Sequence, residues 1–90
     1  MDLIVLTPDK KVFEGKVSRI IVPGVEGEFE VLDNHAPIVS SLKLGVVAIT
    51  TENKDNLDLN VNSGFIEVLD NKVSLLVQER KLVEAATAAE

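Results

Sequence analysis

The stretch Leu57-Asp58-Leu59-Asn60-Val61-Asn62 alternates apolar and polar residues without interruption. Successive side chains of a β-strand point to opposite faces, so Leu57, Leu59 and Val61 turn inward while Asp58, Asn60 and Asn62 meet water. Gly64 interrupts this pattern at an expected bend or bulge. Phe65 to Leu69, the turn Asp70-Asn71 and Val73 to Val77 then complete a hairpin.

The same grammar extends towards the N-terminus. Leu3 to Leu6 is a short apolar run closed by Thr7-Pro8-Asp9, a turn signal, so it reads as a buried first strand. Lys11 to Phe13 forms a brief strand turned by Glu14-Gly15, and Val17 to Val22 resumes the pattern up to Pro23-Gly24. Phe29 to Leu32 ends at Asp33-Asn34, residues that tolerate tight turns. Ile38 to Leu42 follows Pro37, Val46 to Thr50 follows Gly45, and the polar tract Glu52 to Asn56 reads as a hairpin loop. Eight or nine short strands with regularly spaced turns predict an all-β sandwich or barrel.

Composition agrees and narrows the function classes. The 90 residues are 46% hydrophobic, with Val, Leu and Ile dominant and Phe13, Phe29 and Phe65 the only aromatics. That is enough for one domain with a core of its own. No cysteine is present, so there is no disulfide framework, thiolate nucleophile or zinc-thiolate cluster. A net charge of −6 argues against general binding to nucleic acid or anionic membrane, both of which are held largely by Lys and Arg. Neither a secretory signal nor an apolar run of about 20 residues is visible, which predicts a soluble, cytoplasmic domain. Residues 1–78 are expected to form the sandwich. Residues 79–90, like the Gln78 before them, are rich in Ala, Glu, Leu and Lys and predict a short helix or a frayed tail.

The charged stretch from Glu26 to Pro37 holds the only histidine, His35, together with Glu26, Glu28, Glu30 and Asp33. A borderline metal wants two or three imidazoles or thiolates, and His35 stands alone. A calcium loop opening at Asp33 fails at its sixth position, Ile38, and at its twelfth, Leu44. Ser40 or Ser41, His35 and Asp33 spell a catalytic triad only as letters, with no nucleophile elbow, P-loop or GxGxxG beside them. No catalytic, metal or cofactor residue is therefore assigned. What remains is a turn stiffened by Pro37, which biases Ala36 to an extended conformation and suits recognition of another protein.

Val22-Pro23-Gly24-Val25-Glu26-Gly27-Glu28-Phe29, followed by His35-Ala36-Pro37-Ile38-Val39-Ser40-Ser41-Leu42-Lys43-Leu44-Gly45-Val46-Val47, resembles the epsilon subunit of F-type ATP synthases, whose pattern runs PGxxGEFxVLxxHAPLLxxLKxGxV. Ser63-Gly64-Phe65-Ile66-Glu67-Val68 and Asn71-Lys72-Val73-Ser74-Leu75-Leu76 are similar to the family's next hairpin, with Ser63 in place of a glycine. The resemblance covers Leu3 to about Val77. It implies a ten-stranded β-sandwich and a non-catalytic place in the central stalk, packed on gamma and resting on the polar loops of the membrane c-ring. The catalytic sites would lie on the beta subunits.

Carried over by position, Glu28 and His35, with Asp33, Asn34, Ala36 and Pro37, are the expected c-ring contacts, and Val39, Ser40 and Leu42 the expected gamma-facing residues. Glu30 and Asp33-Asn34 depart from the family pattern and make this loop more acidic. The stretch after the sandwich is too short for the family's inhibitory helical hairpin, so neither that switch nor its ATP site is carried over. The competing expectation is a free-standing β-sandwich interaction module of another complex, since fold alone does not fix function.

Overall fold

A computed structural model describes residues 1–80. Seven strands account for most of it: β1 (Asp2–Leu6), β2 (Lys11–Gly24), β3 (Gly27–Leu32), β4 (Ile38–Leu42), β5 (Gly45–Thr51), β6 (Asn56–Leu69) and β7 (Lys72–Glu79). The architecture is the expected all-β sandwich, but with seven strands rather than ten. The difference lies in β2 and β6, each 14 residues long, which run through both layers. One layer consists of β3, the second half of β2, β5 and the first half of β6. The other consists of the first half of β2, β1, β7, the second half of β6 and β4.

Thus Glu14-Gly15 does not turn the chain, because Gly15 continues β2 opposite Leu3. Gly64 likewise continues β6, paired with Leu42 on one side and Val77 on the other. It must be glycine: a Cβ there would lie 2.5 Å from the Leu76 carbonyl oxygen.

A strand shared by two layers must point its apolar residues inward in both. In β6 the buried positions are Leu59 and Val61, then Ile66 and Val68, so the parity changes from odd to even. The change coincides with a bulge between Val61 and Ser63 against β7. In β2 the buried Val17 gives way to Ile20 and Val22 across a bulge between Val17 and Arg19. One extra residue flips the facing of all that follow, which lets each strand serve one core twice. That core contains 17 buried hydrophobic residues, and no polar or charged residue is buried among the described ones.

The β6–β7 hairpin turns on Asp70 and Asn71 as expected, with φ of 52° and 61°. Positive φ at both central positions matches the two-residue turn whose twist suits paired strands. At the other end of β7, Gln78 pairs with Ser63 and Glu79 with Val61, so the sheet runs one residue past the expected limit at 78. The remainder of the expected helix or tail, 81–90, lies outside the described residues.

Candidate functional site

The loop between β3 and β4 holds Asp33 to Pro37, and its pose is fixed by more than Pro37. Asn34 adopts φ of 64°, and its backbone N–H donates to the Asn71 Oδ1 at 2.7 Å. The carbonyl of Asn71 in turn accepts from the Asp2 N–H at 3.1 Å, so one turn residue ties this loop to β1. The His35 N–H donates to the Leu32 carbonyl at 3.1 Å, and its ring Nδ1 lies 2.7 Å from the Ala36 oxygen. Asp33 accepts from the Met1 amino group at 2.6 Å. Ala36 and Pro37 are exposed and His35 is half-buried.

Glu28 is not part of this cluster. It pairs with Pro23 beside the β2–β3 turn, at the opposite end of β3. Five steps of extended chain lead from Glu28 to Asp33, about 17 Å at roughly 3.3 Å per step. The two parts of the expected c-ring contact therefore sit at opposite ends of the sandwich. At Glu28's end the β2–β3 and β4–β5 turns are bonded together. The Val25 N–H donates to the Ser41 carbonyl at 3.0 Å and the Lys43 N–H to the Pro23 carbonyl at 2.8 Å. Gly45 lies so close to Pro23 that a Cβ would approach its ring to 2.8 Å. This joined tip exposes Val25 (51%) and Leu44 (54%) beside Glu26, Glu28 and Lys43.

The three expected gamma-facing residues separate by strand parity. Val39 points outward and is 71% exposed. Ser40 is half-buried on the inner face, and Leu42 is 3% exposed, a core residue with no surface to offer. The surface around Val39 is built instead by two cross-strand rows. Ser41, Phe65, Leu76 and Leu6 form one, and Val39, Glu67, Ser74 and Ile4 the other. Phe65 and Leu76 are half or more exposed, and the rows carry an open apolar patch beside a groove reaching Pro8 and Val77.

Phe65 and Leu76 are the residues that the sequence reading missed. Their signal was present: Phe65-Ile66 and Leu75-Leu76 are adjacent apolar pairs, and a strand can bury only one of each.

The outer face of the other layer is mixed, with Leu32 and Val46 exposed among polar side chains. Glu30, Asp58, Asn56 and Asn60 point to solvent there, and Arg19 forms an ion pair with Glu30 at 2.5 Å. At the charged corner near β1, Lys16 Nζ lies 3.0 Å from Asp2 Oδ1. The hydrogen bond and charge of Lys16 lower the Asp2 carboxyl below its usual value, and Asp2 raises Lys16 in the same way.

Residues 1–82 match the family model for the ATP synthase delta/epsilon chain, β-sandwich domain. This chain belongs to that family. It is 42% identical over 87 residues to the ATP synthase epsilon chain of Pelotomaculum thermopropionicum, covering 97% of this chain and 64% of that relative. It is also 42% identical over 84 residues to the epsilon chain of Leptospira borgpetersenii, covering 93% of this chain and 65% of the relative. The chain thus spans just under two thirds of the length of these epsilon chains. A chain in the mitochondrial ATP synthase structure of Euglena gracilis shares the fold, with a TM-score of 0.82 over 96% of this chain and 59% of that one, at 23% identity.

Proposed function

We propose that this chain is a non-catalytic epsilon subunit in the central stalk of a proton-translocating ATP synthase. It links gamma to the c-ring and supports rotary coupling at the cytoplasmic face of a bacterial membrane, held there through its partners. The observation that carries this reading is the one-sided surface of a family sandwich. One outer face exposes Val39, Phe65 and Leu76 together, whereas the other sets its exposed Leu32 and Val46 among the charged Arg19, Glu30 and Asp58. Contiguous exposed apolar residues rimmed by polar ones favour a protein partner. We assign this face to gamma.

The two ends of the sandwich compete for the c-ring. The tip at Glu28 is the better candidate, because it is braced across two turns and exposes Val25 and Leu44 beside carboxylates. The loop from Asp33 to Pro37, including His35, spends its polar groups on internal bonds and faces away from that tip.

Mixing the purified chain with gamma tests the reading. A stable complex is expected by size-exclusion chromatography, and its co-sedimentation with the c-ring should be weakened by Glu28→Ala with Leu44→Ser. Failure to bind gamma at all would refute the stalk assignment. Loss of c-ring contact on His35→Ala rather than on the Glu28 and Leu44 changes would move the contact to the other end.

A further inference from the structure

In the cross-strand rows of the apolar face, which end on β2 at the paired Glu14 and Lys11, Glu67 is the charged side chain with no ion pair among the described residues. It pairs across β4 with Val39 and across β7 with Ser74, and along its own strand it is flanked by the outward Phe65 and Leu69. It lines a shallow depression with Val39, Phe65, Ser74 and Leu76. The four ion pairs among the described residues engage Met1 with Asp33, Lys11 with Glu14, Lys16 with Asp2 and Arg19 with Glu30. None involves Glu67. Lys72, two positions along β7 from Ser74, makes no ion pair with it and acts on Asp2 instead.

An exposed carboxylate in water needs no partner. Covering the patch changes that, because burial of an uncompensated charge opposes binding strongly. A partner that seats on Val39, Phe65 and Leu76 must therefore either avoid Glu67 or bring a cation to it. Its position between Val39 and Ser74, beside Phe65, leaves no way to cover the patch and miss the carboxylate.

We propose that Glu67 is the specificity-determining residue of this face, and that the partner inserts a cationic side chain, best a guanidinium, into the depression beside Phe65. A planar guanidinium can bond both carboxylate oxygens and lie against an aromatic ring. The apolar ring would exclude water from that pair, as around energetic centres of other interfaces. This inference rests on gamma being the occupant of the face.

The test is a titration of gamma with the 90-residue chain and two variants, Glu67→Gln and Glu67→Lys, at several salt concentrations. Glu67 is exposed, so both variants should fold, which circular dichroism checks. Glu67→Gln should weaken binding about tenfold or more, the scale of a charge-assisted hydrogen bond, and flatten its salt dependence. Glu67→Lys should weaken it further by placing like charges together. Wild-type affinity and salt slope in Glu67→Gln would overturn the proposal. If Phe65→Ser then still weakened binding, the gamma reading would survive without it, whereas a wild-type chain that ignores gamma would sink both.

Discussion

The two outer faces of this sandwich are made of the same kind of strand and obey the same alternation, yet they differ in chemistry. On the face formed by β3, β2, β5 and β6, the outward Leu32 and Val46 are interspersed with the polar Arg19, Glu30, Asn56, Asp58 and Asn60. On the face formed by β4, β6, β7 and β1, the outward positions include Val39, Phe65, Leu76 and Leu6. Strand β6 contributes to both, with Asn56, Asp58 and Asn60 outward before its bulge and Phe65 and Leu69 flanking Glu67 after it. Folding requires only that each face hide its inner side. The apolar outer side is therefore surplus to the fold, and it is the side that we assign to gamma.

The largest expected effect separates inner from outer at adjacent residues. Ile66→Ala empties a fully buried position, and urea unfolding should show a loss of about 2–5 kcal/mol. Phe65→Ala, one residue away, should cost less than about 1 kcal/mol. Equal losses would mean that Phe65 belongs to the core and that the two faces do not differ as described.

A smaller effect concerns the end of the sandwich that holds Asp33 to Pro37. Asn71→Gly keeps the left-handed turn but removes the oxygen that accepts from Asn34. A loss of about 0.5–1.5 kcal/mol is expected, with faster hydrogen exchange at the Asn34 amide. Unchanged exchange there would show that the loop is held by Pro37 alone.

The smallest effect lies at the charged corner. The Asp2 carboxyl is lowered from its ordinary value of 3.8, so its contribution to stability is present above that pH and lost as pH falls through the folded value. Lys16 is raised from 10.5, so its contribution is present below that pH and lost as pH rises through the folded value. Both groups are exposed, so the contribution is small. Lys16→Met should return the Asp2 carboxyl towards its ordinary value in an NMR titration. An unchanged Asp2 titration would place the cause elsewhere.

Much of this was legible in the residues. The burial of Leu59 and Val61, the Asp70-Asn71 turn and the strand ends at Pro23-Gly24 and Asp33-Asn34 stand where local pattern put them, whereas Leu57, expected inward, is exposed at the start of β6. What local pattern did not carry is continuity through Gly15 and Gly64. Glycine interrupts a propensity argument, but here each sits in a paired strand, and at Gly64 the approach of Leu76 leaves no room for a side chain. The sites depended on longer geometry. Glu28 and His35 are close in sequence, but the strand between them carries them to opposite ends. Val39 and Leu42 lie on opposite faces because they are three positions apart, an odd offset along the strand.

The central claim is that the apolar face, and not the mixed one, is the docking side. A calorimetric titration of gamma with Leu76→Ser and with Asp58→Ser measures this directly, since each variant alters one face at an exposed position. The expected result is a loss of at least about tenfold in affinity for Leu76→Ser and wild-type affinity for Asp58→Ser. The reverse order, or equal affinities for both variants, would contradict it.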